Sequence, residues 1–372
     1  MNITFVSDAI YPYNKGGKEK RLFEVSTRLV RQGHDVHIYT MHWWQSPEKT
    51  RTENGVQLHA ISKLYPLYSG DRRSIKEGVL FGLACLKLFR VPFDTLDVDH
   101  MPFFPIYSAW LVCLLRGKKL YGTWHEALSR KDWTDYMGAA GNIAAIIERV
   151  SIHLPYRISA ASSHTQHLIQ SELKRTKGVS IVGSGIDTKL IASLQPAGVQ
   201  CDVLYSGRFV KDKNVDKLVE AVALVAKSNP AIRCTIIGHG VEEANIRKLI
   251  ATLKVTKQIT LLPPLPDSQD VYAYMKAAKV FCLPSVREGF GIVALEALGC
   301  GIPVITTNSP ANASKDLIED GVNGSVVELL PSELAKAIAF WSKQPKNNKI
   351  ARQVAHYDWD ALAQTQAEVY AA

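Results

Sequence analysis

The chain has 372 residues, which exceeds the size at which one hydrophobic core usually stops growing, so we expect two domains. Its 47% apolar and 21% charged residues are typical of a globular protein and exclude a disordered one. The net charge is +9 and lies mostly in residues 1–185, where 24 Lys and Arg stand against 16 Asp and Glu. This half favours an anionic surface, such as lipid head groups or a phosphorylated acceptor, or is a solvated basic face without a partner. A nucleic acid is disfavoured because no known binding motif is present.

The six cysteines are scattered and form no CxxC pair, which indicates reduced thiols in a cytoplasmic protein rather than a disulfide framework or a zinc site. The N-terminal residues lack the pattern of a signal peptide. No apolar stretch reaches the ~18 residues that a membrane span needs. We therefore expect a cytoplasmic location, with peripheral attachment to the cytoplasmic face of a membrane left open.

Short β-branched runs alternate with amphipathic helical stretches along the first half, which predicts βαβ units and a parallel sheet. A strand at residues 3–7 precedes a helix at 19–32, whose residues Leu22, Val25 and Leu29 share one face. Further strands are predicted at 36–40, 56–61, 95–98, 119–122, 157–160 and 179–182.

A second alternating series begins after a segment of linker composition at 193–200. Its predicted strands are 203–207, 233–238, 259–262, 280–283 and 303–306, and its predicted helices are 214–228, 242–253, 267–278 and 292–298. A polar break at 342–349 precedes a last helix at 358–370. The pattern predicts an α/β protein with two Rossmann-like, doubly wound domains that face each other across a cleft, and ligands of such sheets bind at the carboxyl ends of the strands.

The segment 284–296 joins a predicted strand to a predicted helix through a glycine-bearing loop. The free N–H groups and the positive dipole end at such a helix start can hold a diphosphate without a metal. Glu288 precedes the helix and Glu296 follows eight residues later, a separation of roughly 12 Å along a helix. A nucleotide sugar spans about that reach, so one carboxylate can accept hydrogen bonds from sugar hydroxyls and the other from ribose hydroxyls. Two ordinary solvated acids are the alternative, but an acid inside so apolar a helix favours a polar partner.

Three further segments follow predicted strands. Gly207 allows close approach of the backbone, and Arg208 and Lys213 in the same loop can neutralise a diphosphate, although a charged loop that caps a helix is the alternative. Two glycines, Gly16 and Gly17, form another anion-binding turn, which is a weak signal by itself. A histidine, His125, ends a predicted strand and could hydrogen-bond a sugar hydroxyl or assist proton movement, or be structural.

Together these motifs resemble the large family 4 glycosyltransferases, which have the two-Rossmann GT-B fold and a Glu-x7-Glu signature. The resemblance covers nearly the whole chain. Its motifs are Gly16-Gly17, residues 33–36 and 183–187, Gly207-Arg208 with Lys213-Asn214, residues 238–240, Glu288 with Glu296, residues 301–304 and 320–324, and the closing segment 356–359. It implies an acceptor-side domain at 1–185, a nucleotide-sugar domain at 186–355, and a C-terminal helix at 356–372 that crosses back to the first domain.

The resemblance also implies a role for each site residue. Arg208 and Lys213 bind the donor diphosphate, Glu288 contacts the transferred sugar and Glu296 the ribose. His125 lies near the reacting centre. The backbone that approaches the donor belongs to Gly16, Gly17, Gly289, Phe290, Gly291 and Ile292.

The implied reaction moves a hexose from a UDP- or GDP-linked donor to a hydroxyl of a glycan or lipid-linked acceptor, with retained configuration and without a metal or other cofactor. His239 replaces the acid that the family usually has between the glycines at 238 and 240, so the base preference stays open. Asp97 and Asp99 match the metal-binding DxD pattern of the other main glycosyltransferase fold, but we interpret them as the end of a strand.

Two alternative functions remain open at this stage: a nucleotide-sugar epimerase of the same fold, or a non-catalytic partner subunit of a glycosyltransferase. The placement of one segment is open as well, because the basic residues Arg72, Arg73 and Lys76 precede an apolar run at 79–86. This segment could lie on a membrane beside a lipid-linked acceptor, or it could be a core helix with a basic cap.

Overall fold

The computed structural model describes residues 1–69, 72–347 and 349–372. The chain forms two compact units. The first unit contains Met1–Ser184 together with Trp359–Ala372, and the second contains Gly185–Asp358. Residue 348, inside the predicted polar break at 342–349, lies outside the described residues.

The first unit alternates strands and helices along most of its length. Its strands are β1 (Asn2–Val6), β2 (Asp35–Met41), β3 (Thr50–Glu53), β4 (Val56–Ser62), β5 (Tyr68–Ser69), β6 (Arg72–Arg73), β7 (Thr95–Asp99), β8 (Leu120–Trp124), β9 (Arg157–Ala160) and β10 (Val179–Ile181). Its helices up to residue 184 are α1 (Gly17–Arg31), α2 (Ile75–Ala84), α3 (Phe104–Arg116), α4 (Arg130–Met137), α5 (Gly141–Ser151) and α6 (Ser163–Ser171). A 3-10 helix, Cys85–Arg90, continues α2.

The main sheet of the first unit has the strand order β10-β9-β8-β7-β1-β2-β4-β3. Its neighbours are parallel except for β3, which runs antiparallel to β4. Strand order reverses between β1 and β7, and the carboxyl ends beside such a switch point form the usual ligand crevice of a doubly wound sheet. Every residue of β7 and β8 is buried, because helices cover both faces of a parallel sheet.

The second unit continues the alternation. Its strands are β11 (Val203–Ser206), β12 (Cys234–Ile237), β13 (Ile259–Leu262), β14 (Val280–Leu283), β15 (Val304–Thr307) and β16 (Gly324–Val327). Its helices are α7 (Thr188–Ser193), α8 (Val215–Ser228), α9 (Glu243–Thr252), α10 (Ser268–Ala277), α11 (Ile292–Gly299), α12 (Pro331–Trp341) and α13 (Lys349–Gln353). The sheet is parallel throughout, in the order β13-β12-β11-β14-β15-β16, so its switch point lies between β11 and β14.

The last helix, α14 (Trp359–Ala371), is part of the first unit and packs against α1. Trp359 is fully buried there. The Tyr370 hydroxyl donates to Asp97 Oδ2 at 2.6 Å, and Arg21 Nη2 donates to Gln366 Oε1 at 2.9 Å. The predicted return of the C-terminal helix to the first domain is thus confirmed.

The apolar run at 79–86 forms most of α2 and the start of the 3-10 helix. Phe81 and Cys85 are fully buried, so one side of this segment belongs to the core. Leu83 and Leu86 are exposed on the other side. Among the described residues, no helix is both long enough and apolar enough to cross a membrane.

Candidate active site

Two loops of the second unit lie side by side because their strands, β11 and β14, are neighbours in the sheet. The loop after β11 contains Arg208 and Lys213, and the loop after β14 contains Glu288. The Val286 N–H donates to the Asp212 carbonyl at 3.0 Å, and Asn214 Nδ2 donates to the Pro284 carbonyl at 3.2 Å. These bonds join the two loops into one surface at the carboxyl edge of the sheet.

Lys213 and Glu288 form an ion pair across these loops. Lys213 Nζ lies 2.8 Å from Glu288 Oε1 and donates to the Arg287 carbonyl at 3.0 Å. Their side chains are 13% and 15% exposed, so the pair is largely shielded but keeps access to water. The structure thereby brings together the cation predicted to bind the diphosphate and the carboxylate predicted to contact the sugar.

The backbone of Glu288 is hydrogen-bonded through both its N–H and its carbonyl to the segment that follows β15. The Glu288 N–H donates to the Ala311 carbonyl at 3.0 Å, and the Ala313 N–H donates to the Glu288 carbonyl at 2.9 Å. Between these two contacts lies Asn312, which is fully buried and whose Nδ2 donates to Thr306 Oγ1 and to the Thr307 carbonyl, both at 2.9 Å. Asn312 therefore orients Glu288 through the backbone, and sequence reasoning missed it because an asparagine between short loops carries no motif.

The loop and helix start at Gly291 need a glycine. Gly291 has φ +87°, and a Cβ atom there would lie 2.4 Å from Ser314 Cβ. It directly precedes α11, whose first-turn N–H groups point out of the helix start. Ile292 opens that helix, and Gly289 and Phe290 lie in the loop between Glu288 and Gly291; the ring of Phe290 contacts the Tyr357 ring edge-on at 5.9 Å.

Glu296 lies inside α11 and is buried. Its Oε1 accepts a hydrogen bond from the Tyr272 hydroxyl at 2.9 Å, and Tyr272 comes from α10. The polar partner that the apolar helix led us to expect is thus present within the protein, so burial of this carboxylate does not by itself require a ribose. The ribose contact of Glu296 stays a prediction.

Arg208 is exposed at the start of its loop, and its carbonyl accepts a hydrogen bond from the buried Tyr205 hydroxyl at 2.9 Å. The loop packs tightly against the turn after β12. Gly238 has φ +151°, and a Cβ atom there would lie 1.9 Å from the Gly207 carbonyl oxygen, so only glycine fits. The exposed His239 follows directly, and its carbonyl accepts from the Phe209 N–H at 2.7 Å.

The first unit gathers charged side chains at the switch point of its own sheet. Lys18 follows the Gly16-Gly17 turn in the first turn of α1. Its Nζ lies 2.7 Å from Asp8 Oδ1 and 3.3 Å from Asp99 Oδ2. Burial by itself would lower the pKa of Lys18, but the two carboxylates outweigh it and raise the pKa. The glycine turn is therefore tied to the ends of β1 and β7.

His125 directly follows β8 and contacts the same carboxylate. Its ring atom Nε2 lies 2.9 Å from Asp99 Oδ1, and its backbone N–H donates to His100 Nδ1 at 3.3 Å. Burial would raise the pKa of Asp99, but Lys18 and His125 overcome it and hold the pKa below its usual range. An ionised Asp99 accepts from Nε2–H, which fixes the orientation of the imidazole ring.

Arg73 and Glu77 extend this network from the start of α2. Arg73 donates to Asp8 Oδ2, and its Nη2 lies 3.9 Å from Glu77 Oε2. Glu77 is 1% exposed, and within the described part of the chain neither of its carboxylate oxygens has a hydrogen-bond partner. Burial, assisted by Asp8, raises the pKa of Glu77 to about 7. Sequence reasoning grouped Arg73 with a basic surface segment and missed its contact with Asp8.

Asp97 and Asp99 end β7 as expected, but they have different partners. Asp97 accepts from Thr123 Oγ1 at 3.1 Å and from the Tyr370 hydroxyl, and burial raises its pKa to about 6. Within the described ranges, no group of three or more His, Cys, Asp or Glu side chains is arranged to hold a metal.

The predicted site residues thus fall into two sets. Gly16, Gly17 and His125 belong to the first unit and meet through Lys18 and Asp99. The other set lies in the second unit and comprises Arg208, Lys213, Glu288, Gly289, Phe290, Gly291, Ile292 and Glu296.

Solved structures of low sequence identity share this fold. Sucrose-phosphate synthase from Thermosynechococcus elongatus superposes with a TM-score of 0.80 at 18% identity, over 100% of this chain and 98% of that one. The Anabaena protein HepE in complex with UDP-glucose gives 0.71 at 16% identity over 100% and 99%. WaaG, a glycosyltransferase involved in lipopolysaccharide biosynthesis, gives 0.75 at 19% over 99% of each chain. The fold is GT-B, as the sequence predicted.

Family models cover most of the chain in two pieces. Residues 15–190 match the model described as Glycosyltransferase Family 4, and residues 188–356 match Glycosyl transferases group 1. A D-inositol 3-phosphate glycosyltransferase of Pseudarthrobacter chlorophenolicus is 41% identical over 324 residues, which cover 78% of this chain and 74% of that protein. A second D-inositol 3-phosphate glycosyltransferase, from Streptosporangium roseum, is 24% identical over 96% of this chain and 88% of its own length. The chain belongs to the family 4, group 1 glycosyltransferases and is a glycosyltransferase enzyme.

Proposed function

We propose that the chain transfers a hexose from a UDP- or GDP-linked sugar to a hydroxyl of a glycan or lipid-linked acceptor, with retention of configuration at the anomeric carbon. The observation that carries the proposal is the Lys213–Glu288 pair at the switch point of the second sheet. A cation beside a carboxylate there matches a ligand that is a diphosphate at one end and a polyhydroxylated ring at the other. The complex of HepE with UDP-glucose supports a UDP-linked sugar as a ligand of this fold.

In the proposed reaction the bond from the anomeric carbon to the diphosphate oxygen breaks, and a bond from the same carbon to the acceptor oxygen forms on the same face of the sugar. The acceptor's proton passes to the departing phosphate oxygen. Arg208 and Lys213 stabilise the negative charge that grows on the diphosphate, and the N–H groups at the start of α11 add to this field. The two cationic side chains supply the positive charge, so no metal is part of the proposal.

Glu288 accepts hydrogen bonds from hydroxyls of the transferred sugar, and Glu296 accepts from the ribose. Binding of the diphosphate would draw Lys213 away from Glu288 and leave that carboxylate available to the sugar. Two of the three donors of the ammonium group go to Glu288 and the Arg287 carbonyl, and Asp212 Oδ2 lies 3.6 Å away, so a bound diphosphate competes with these acceptors for Lys213. His125, oriented by Asp99, hydrogen-bonds a sugar hydroxyl near the reacting centre.

A panel of nucleotide sugars tests the donor assignment. A true donor at about 100 times its dissociation constant stabilises the folded chain by about 2.7 kcal/mol, so it raises the melting temperature, whereas a nucleoside such as uridine serves as the control. The chain and the nucleotide sugar that stabilises it are then incubated separately with a glycan, a lipid-linked sugar and inositol 3-phosphate, and product formation identifies the acceptor class. Proton NMR of the first product reports its anomeric configuration.

Three results would overturn parts of the proposal. Absence of a melting shift with every UDP- and GDP-sugar contradicts the donor assignment. Release of an epimerised nucleotide sugar when no acceptor is present favours the epimerase alternative, and an inverted anomeric centre contradicts retention.

A further inference from the structure

Exposed apolar side chains are concentrated on three helices of the first unit. They lie on α2 with its 3-10 continuation, on α3 and on α5, and each is between 37% and 64% exposed. This set, called here the apolar face, consists of Ile75, Leu83, Leu86, Phe89, Trp110, Leu111, Leu114, Leu115, Ile143, Ile146 and Val150. Isolated exposed apolar residues are ordinary on a protein surface, but a cluster of this size marks an interaction site.

The helices that carry the apolar face are neighbours. Gly82 of α2 packs so closely on α3 that a Cβ atom there would lie 2.7 Å from Phe104 Cβ. The Tyr107 hydroxyl of α3 donates to the Ile147 carbonyl of α5 at 2.8 Å. Three successive connections of the chain each move toward the β10 edge of the sheet: from β4 to β7, from β7 to β8 and from β8 to β9. Right-handed crossovers therefore place α2, α3 and α5 in one layer on one face of that sheet.

Within α3 the exposed residues form one stripe. Leu111, Leu114 and Leu115 are exposed, whereas Ala109, Val112 and Cys113 face the core. In α5, Ile143, Ile146 and Val150 repeat at the same helical spacing. The apolar residues thus cover the outward side of each helix, where polar residues are normal for a helix that faces water.

The exposed charged side chains carried by the helices of the apolar face are basic, and the exposed acids Asp94 and Asp135 lie on neighbouring segments. On Ile75–Arg90 and Gly141–Ser151, the exposed charged side chains are Lys76, Lys87, Arg90 and Arg149, all basic. The two acids of these segments, Glu77 and Glu148, are buried. Lys118 and Lys119, just beyond α3, are exposed as well. A lipid head-group layer favours this combination of exposed apolar side chains with Lys and Arg beside them.

We propose that the apolar face docks on an anionic lipid bilayer. Its Leu, Ile, Phe and Trp side chains enter the boundary between head groups and acyl chains, to a depth of about 5–10 Å. The surrounding Lys and Arg side chains bind the lipid phosphates. Docking requires neither a nucleotide sugar nor turnover, so it is independent of the proposed reaction. Docking would also bring the enzyme to a lipid-linked acceptor, which rests on the proposed function.

Vesicle flotation of the full chain tests the docking. Vesicles of phosphatidylcholine alone are compared with an equal mixture of phosphatidylcholine and phosphatidylglycerol. The wild-type chain is expected to float with the mixed vesicles and to bind the neutral ones far more weakly.

Two variants separate the contributions. The double variant Leu114→Glu, Leu115→Glu changes side chains that are 58% and 64% exposed, so the fold persists, and we expect at least a tenfold loss of vesicle binding. Its control is Leu330→Glu, Phe340→Glu, which alters apolar side chains exposed to a similar degree in the second unit and should bind as wild type. The triple variant Arg90→Gln, Lys118→Gln, Arg149→Gln should lose roughly fivefold for each basic residue removed, on the mixed vesicles only. Lys227→Gln, Lys248→Gln, Lys257→Gln removes the same charge elsewhere as its control.

Three outcomes overturn the proposal. One is a wild-type chain that floats with neither vesicle, and another is a Leu114, Leu115 variant that floats like wild type. The third is self-association of the wild-type chain that this variant abolishes while vesicles bind neither protein, which would make the apolar face a contact between two copies. Melting shifts with a nucleotide sugar, measured on the same variants, report separately on the proposed reaction.

Discussion

The two units each place a lysine against a carboxylate at the carboxyl edge of a parallel sheet, but the balance of charge differs. In the second unit, Lys213 contacts Glu288 at 2.8 Å, and Arg208 and Lys211 add positive charge to the same loop. In the first unit, Lys18 lies between Asp8 and Asp99, and Arg73 also contacts Asp8. The loop after β11 also contains Asp212, 3.6 Å from Lys213 Nζ, but it still carries three basic residues against one acidic residue, a surplus that suits the proposed anionic donor. The cations of the first edge are neutralised by buried carboxylates, an arrangement suited to orienting hydroxyls and His125.

The largest expected effect comes from Lys18→Met. Asp8 keeps Arg73 and Asp99 keeps His125, but both carboxylates lose the cation between them, so we expect a loss of about 3 kcal/mol, the low end for a broken buried ion pair, in the free energy of unfolding. Urea denaturation measures it, with the exposed Lys248→Met as the control. If Lys18→Met and Lys248→Met unfolded at the same urea concentration, Lys18 would have no structural role, and the proposed difference in charge balance between the two units would be contradicted.

Lys213→Ala should act on binding rather than on folding. Glu288 keeps access to water, so the unfolding free energy should fall by only about 1 kcal/mol. Loss of a charge-assisted contact to the diphosphate should weaken donor binding about 10–100-fold, and Arg208→Ala should act in the same direction. Calorimetric titration with the donor measures both. Unchanged affinity in the two variants would show that the donor site is wrongly assigned.

Asp99→Asn tests whether the first edge orients His125. Asparagine can still offer Oδ1 as an acceptor, but it has no negative charge and can instead present Nδ2–H, so the imidazole is held less firmly; turnover should fall about tenfold or more while donor affinity stays unchanged. His125→Ala should likewise reduce turnover more than affinity. Because the two residues act as a unit, the double variant should be no slower than His125→Ala alone. If the losses of turnover in the two single variants added up in the double variant, His125 and Asp99 would act independently.

The smallest effect concerns pH. The pKa of Glu77 is about 7 in the folded chain, above its ordinary value of 4.5, so between these values the folded chain binds more protons than the unfolded one. Stability therefore falls as pH rises through this window, by about 1 kcal/mol between pH 6 and pH 7. Glu77→Gln should flatten this part of the profile, measured by urea denaturation at each pH. A variant as steep as wild type would contradict the burial of a protonated Glu77.

The regular elements were largely predictable, because strand and helix periodicities depend on local sequence. The five strands and four helices predicted for the second series all occur within one residue of their expected bounds. Several elements were not anticipated, among them α3, α5 and the edge strand β16. In α3, apolar residues occupy both the inward and the outward sides, so the pattern lacks the alternation that separates a surface helix from a core helix.

The motifs located residues at the carboxyl edge of each sheet, but not the contacts among them. Glu288 and Lys213 are 75 residues apart, and no local pattern reports that they touch. The same holds for Lys18 and Asp99, 81 residues apart, and for Tyr272 beside Glu296. A side chain's partner depends on strand order and register, which the sequence encodes only through the whole fold. Glu296 illustrates the consequence, since its buried partner proved to be a tyrosine of the protein.

The membership of α14 in the first unit affects how the chain is made. Residues 1–184 leave the ribosome long before Trp359 and Tyr370, which belong to the same core. Domains generally fold in the order of their synthesis, N-terminal first. Here the second unit is complete in sequence before the first one receives its last helix. During translation the Asp97 carboxylate and α1 therefore have no contact with α14 until the second unit has been synthesised, so the first unit cannot complete its fold before then.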